Sequence, residues 1–133
     1  MGTTASPSFD LVQAQPGWGC ADFISDLHLQ PSEPATFDAW RGYMATTRAG
    51  AIFILGDLFE AWIGDDCALA PGFHADCAQV LRDAAARVPV FLLHGNRDFL
   101  IGAELAAHCG FRLLSDPAVL DFAGERWLLT HGD

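Results

Sequence analysis

The stretch AIFILGDLFE, residues 51–60, decides how the rest of the chain is read. It opens with five apolar residues in a row, too few for a helix and without the alternation of a strand that has one wet face. That predicts a short strand buried on both sides, as in the interior of a parallel sheet. The run then breaks on Gly56-Asp57. Two similar runs flank it, CADFISDLHL at 20–29 and VPVFLLHGN at 88–96. Between the runs the period changes. PATFDAWRGYMATTRAG (34–50) spaces Phe37, Trp40 and Met44 along one helical face, with Pro34 suited to the first turn and Gly50 to the helix end. FHADCAQVLRDAAARV (73–88) carries Phe73, Cys77, Val80, Leu81 and Ala84 on one stripe. DFLIGAELAAHCG (98–110) reads as a short helix with Asp98 as N-cap and Gly110 as its stop, and PAVLDFAGERWLLTHGD (117–133) as a hairpin turned at Ala123-Gly124. Strand and helix alternate, which predicts an α/β fold with a largely parallel sheet and crossover helices. Residues 1–20 show no sustained period and read as a mobile extension.

Composition narrows the class. The chain has 133 residues, enough for one core, and 51% of them are hydrophobic. Seven basic residues, all Arg, stand against seventeen acidic ones for a net charge of −10, which argues against a nucleic-acid-binding surface. Cys20, Cys67, Cys77 and Cys109 form no Cys-x-x-Cys pair, so neither a zinc ribbon nor a dithiol motif is indicated, and they read as idle thiols. The first basic residue is Arg41, no apolar run is long enough to span a bilayer, and a cytoplasmic protein is expected. The absence of lysine and of a G-x-x-x-x-G-K-[ST] motif disfavours a P-loop enzyme.

The polar residues fall at the ends of the predicted strands: Asp26 and His28, Gly56-Asp57, Gly95-Asn96-Arg97-Asp98, and His131-Gly132-Asp133. Open α/β sheets bind ligands outside the carboxyl ends of their strands, and successive motifs lie about one strand–helix–strand unit apart, so they can line one crevice. Asp26 and His28, two apart, point to the same side. Two Asp, an Asn and two His make an oxygen and nitrogen donor set suited to Mn, Fe, Mg or Zn, and a shared Asp57 would build the dinuclear clamp of phosphoryl chemistry. Each residue alone has a plainer reading, as a turn or helix cap for the Asx residues and as a hydrogen-bonded structural histidine for the others. His74, His94 and His108 are read that way, Asp65-Asp66 as a solvated turn, and Trp40 and Trp62 as core. Four consecutive strand ends with metal-type ligands are not explained by those readings together.

D-L-H, G-D-L-F-E, G-N-R-D and T-H-G-D, in that order, resemble the calcineurin-like metallophosphoesterase superfamily, and FISDLHL, ILGDLFEAWIGDD, HGNRDFLIG and THGD are similar in wording to its bacterial UDP-2,3-diacylglucosamine pyrophosphohydrolase family. The likeness runs from about residue 21 to 133. It implies an αββα sandwich of which this chain holds roughly the N-terminal half. It also implies a Mn²⁺ pair with Asp26 and His28 on one metal, Asp57 as bridge, and Asn96 and His131 on the other, and places Asn96 and Arg97 against substrate phosphate. The implied reaction is hydrolysis of the pyrophosphate of UDP-2,3-diacylglucosamine to UMP and 2,3-diacylglucosamine 1-phosphate in lipid A synthesis, at the cytoplasmic face of the inner membrane. Arg97 also has a reading of its own: a phosphate leaving group needs no proton, whereas a guanidinium pairs with its oxygens in a bidentate fork. Resembled enzymes continue into a helical lid and a Gly-His-x-His block, neither of which occurs here. The resemblance therefore implies impaired metal binding and turnover for these 133 residues. Two other readings stand beside it: a metallophosphoesterase for another nucleotide diphosphate or phosphodiester, and a metal-free scaffold.

Overall fold

The structure, a computed structural model, describes residues 10–60, 71–94 and 101–131. In chain order the elements are β1 (Asp10–Gln13), β2 (Ala21–Ile24), α1 (Pro34–Thr46), β3 (Ala51–Ile54), α2 (Phe73–Ala85), β4 (Val90–Leu93), α3 (Ala103–Cys109), β5 (Arg112–Leu114), β6 (Ala118–Phe122) and β7 (Glu125–Leu129). Strands β2-β3-β4-β5 form a four-stranded, all-parallel sheet, and β1-β6-β7 form a second sheet in which β6 runs parallel to β1 and antiparallel to β7.

The run at 51–54 is continuous because both of its faces are covered. Ile52 and Ile54 pack with Trp40, Met44, Leu81 and Leu92 under the helices, while Ala51 and Phe53 pack with Val12, Phe91, Leu120 and Leu129 between the two sheets. All four residues of β3 and all four of β4 are buried. Burying one such large apolar side chain contributes roughly 1.5–3 kcal/mol. In register across three strands, Phe23, Phe53 and Phe91 stack with centroids 5.2 and 4.6 Å apart.

Three expectations are corrected. The first twenty residues are not all a mobile extension: Asp10–Gln13 pair with β6, and Trp18 is buried against Phe53 and Phe91 at 6.1 and 6.0 Å between ring centroids. Four residues of strand carry too little pattern to be read alone. Gly50 does not end α1, which stops at Thr46; a Cβ at Gly50 would lie 2.2 Å from the Trp18 carbonyl oxygen, so the glycine lets two backbones meet. The helix expected from Asp98, a position outside the described residues, begins at Ala103 with Gly102 as N-cap, and it does end on Gly110 in the left-handed conformation. The hairpin turns at Ala123-Gly124, both at positive φ (55° and 80°), as a two-residue turn matching the strand twist requires.

Candidate metal centre

The site is built where β2 and β3 end. Beyond their last ladder bonds the two chains remain tied: the Leu55 N–H donates to the Ile24 carbonyl, Asp26 N–H to Gly56, His28 N–H to Asp57 and Leu29 N–H to Leu58, at 2.8–3.1 Å. Asp26, His28 and Asp57 all take left-handed backbone, with φ of 57°, 49° and 51°. Asp and His tolerate that region better than most residues, yet each such residue still costs of order 1 kcal/mol and persists because the surrounding bonds over-determine it. The bends aim three side chains outward from adjacent strand ends. Asp57 is buried at 6% exposure, whereas His28 and Asp26 are open to solvent at 36% and 56%.

His131 arrives from the other sheet, at the end of β7. Asp116 pins it there, accepting from the His131 N–H at 3.1 Å and from the Thr130 hydroxyl at 2.6 Å. Its Nδ1 lies 2.8 Å from the Leu55 carbonyl oxygen and donates to it, which turns Nε2 toward the strand ends. That nitrogen stands 3.3 Å from Asp57 Oδ2, with both side chains over nine-tenths buried. His28 Nε2 stands 3.8 Å from Asp26 Oδ1 and 4.0 Å from Asp57 Oδ2. One ligand atom each from Asp26, Asp57 and His131 falls within a 4.8 Å cluster. Ligands bonded at about 2.0–2.2 Å to one ion stand roughly 3 Å or a little more from each other, so the spacing and the donor types both fit a divalent metal.

The structure thus brings together Asp26, His28, Asp57 and His131. Asn96, Arg97, Trp62, Cys67 and the Asp65-Asp66 pair lie outside the described residues. The histidines read as structural stay apart from the cluster: His74 packs against the Phe59 and Phe73 rings, His94 Nε2 meets the Ile101 carbonyl, and His108 is exposed on α3. Trp40 is core, and burial pushes the Cys77 thiol up to about 12, an inert group. Sequence reasoning missed Asp116 and the Leu55 carbonyl. Asp116 carried no signal beyond a turn residue before Pro117, and a backbone acceptor carries none at all.

Against known proteins, no family model matches the chain. Over 115 residues it is 51% identical to a UDP-2,3-diacylglucosamine hydrolase of Xanthomonas campestris pv. campestris and 50% identical to one of Xanthomonas oryzae pv. oryzae; over 114 residues it is 48% identical to that of Stenotrophomonas maltophilia. The chain is homologous to these hydrolases. Each match takes in 84% of this chain and 45% of the relative, so the chain spans about half the length of the curated relatives it matches. A crystal structure of a protein of unknown function from Aquifex aeolicus shares the fold, with a TM-score of 0.50 and 16% identity over 83% of this chain and 60% of that one. Among the described residues no helix is long and apolar enough to cross a membrane.

Proposed function

We propose that this chain carries the metal-site half of an enzyme that hydrolyses the pyrophosphate bond of UDP-2,3-diacylglucosamine, releasing UMP and 2,3-diacylglucosamine 1-phosphate for lipid A synthesis. The observation that supports it most is the convergence of Asp26, His28, Asp57 and His131 from three strand ends and two sheets, in a chain half identical to hydrolases named for that substrate.

Asp26, His28, Asp57, His131 and Asn96 would hold a Mn²⁺ pair. When bound, such a pair supplies positive charge to the phosphoryl oxygens and an activated water. The protein's own part is positional. Asp57, buried with His28 at 4.0 Å and His131 at 3.3 Å, would be the donor shared by the ions. The Leu55 carbonyl would orient the His131 ring through its Nδ1, and Asp116 would hold the His131 backbone through its N–H. Arg97 would clamp phosphate oxygens, and Asn96 would serve both a metal and the substrate. Because the leaving group is a stable phosphate anion, no general acid is required. With that lipid substrate, the reaction would take place at the cytoplasmic face of the inner membrane.

UMP release tests the reading, measured with Mn²⁺ for the chain alone and for the chain grafted over its matched segment in the Xanthomonas campestris hydrolase. Release from UDP-2,3-diacylglucosamine by the graft, absent with UDP-glucose or an aryl phosphodiester and lost in Asp57→Asn, is expected. Equal turnover of all three substrates would point to a broader phosphoesterase. A graft that folds, binds Mn²⁺ and releases no UMP would overturn the assignment.

A further inference from the structure

The two histidines of the cluster are held differently. His131 has its Nδ1 bonded to a backbone carbonyl, a partner that no substitution removes. His28 has a side chain there: Glu60 Oε1 lies 3.6 Å from its Nδ1, while its Nε2 faces Asp26 and Asp57. The placement of Glu60 is built. Leu29 and Phe59 form an isolated parallel bridge past the sheet, the Glu60 N–H donates to the Leu29 carbonyl at 3.0 Å, and Gln30 Nε2 reaches Glu60 Oε2 at 3.4 Å and the His28 carbonyl at 3.5 Å. The loop after β3 therefore delivers Asp57 to one nitrogen of the ring and Glu60 to the other.

We propose that Glu60 is a positioning residue for His28, which draws the single proton of the neutral ring to Nδ1 and so keeps Nε2 bare toward Asp26 and Asp57. This rests on the metal-centre reading for its purpose, and on the geometry alone for its effect on the ring. A carboxylate behind a ligating histidine fixes its tautomer and orientation, and losing such a partner weakens metal binding about 10- to 100-fold. The 3.6 Å separation is an electrostatic contact that a small ring rotation turns into a hydrogen bond. Gln30 limits how far the carboxylate can swing away.

The test compares the 133-residue chain with Glu60→Leu and Glu60→Gln by two readouts: the tautomer of His28 from its ring ¹⁵N shifts at a pH where the ring is neutral, and Mn²⁺ affinity from the free-ion electron paramagnetic resonance signal. Glu60→Leu should lower the fraction of rings protonated at Nδ1 and raise the Mn²⁺ Kd roughly 10- to 100-fold. Glu60→Gln, whose amide oxygen accepts the same hydrogen, should retain that tautomer and lose less affinity. The backbone amide spectrum of each variant shows that it is folded, and Glu60→Gln carries the comparison if Glu60→Leu is not. The same tautomer fraction in all three proteins would overturn the proposal. A tautomer that responds while the Mn²⁺ Kd stays the same in all three proteins would uphold the role of Glu60 on the ring and count against the metal-centre reading instead.

Discussion

The interior of the parallel sheet and the β6–β7 hairpin use apolar residues in opposite ways. Every residue of β3 is buried, whereas in β7 Glu125–Leu128 are exposed and Leu129 alone is covered, leaving Trp127 and Leu128 at 51% and 67% exposure. The sheet interior is fixed by packing on both faces. β7 is fixed by its turn, by its pairing with β6 and by two anchors, Leu129 in the inter-sheet core and His131 beside Asp57. A residue of the cluster can therefore come from a thinly packed strand, provided its end is tied down.

The largest test of this contrast is Phe53→Ala, which removes the middle ring of the aromatic stack and should cost about 3–5 kcal/mol in urea unfolding. Trp127→Ala, of similar chemistry on the hairpin, should cost well under about 1 kcal/mol, and equal costs would erase the distinction. Next comes Asp116→Ala, which frees the Thr130 hydroxyl and the His131 N–H. It should lower stability by about 1 kcal/mol and weaken Mn²⁺ binding about tenfold, read by denaturation and by metal titration. Ala123→Asn puts Asn-Gly at the two positive-φ positions and should stabilise by up to about 1 kcal/mol, seen as a raised Tm. The smallest effect belongs to Asp10. The Ser115 N–H, and then its hydroxyl, hold this carboxyl below its ordinary range against a weaker opposing effect of burial. A depressed carboxyl adds stability above its unfolded pKa and loses it as pH falls through the folded one. The Tm advantage of wild type over Asp10→Asn should therefore be present at neutral pH and vanish in acid, below about pH 4.

How much of this was legible follows from the same contrast. The parallel sheet and its helices were readable at Ile52–Ile54 and at Cys77, Val80 and Leu81, because burial on two faces or one stripe prints a pattern into the residues themselves. β1 and Trp18 were not, since a four-residue edge strand and a lone aromatic acquire meaning only through partners distant in sequence, β6 for the strand and Phe53 and Phe91 for the ring. In the site, Asp26, His28, Asp57 and His131 were legible from residue type at strand ends. Glu60 and Asp116 were hidden because their role is to hold another residue, which only geometry displays. A second sheet was implied only by the resemblance to a sandwich fold: the hairpin was expected, but nothing in its own residues says that it packs across Phe53 rather than extending β5.

The central proposal is that buried Asp57 and His131 Nε2, 3.3 Å apart, together hold a divalent cation. Anomalous diffraction from crystals grown with Mn²⁺ tests it most directly. The account predicts a manganese peak bonded to both Asp57 Oδ2 and His131 Nε2; ordered side chains with no peak between them, or a peak bonded to neither, would contradict it.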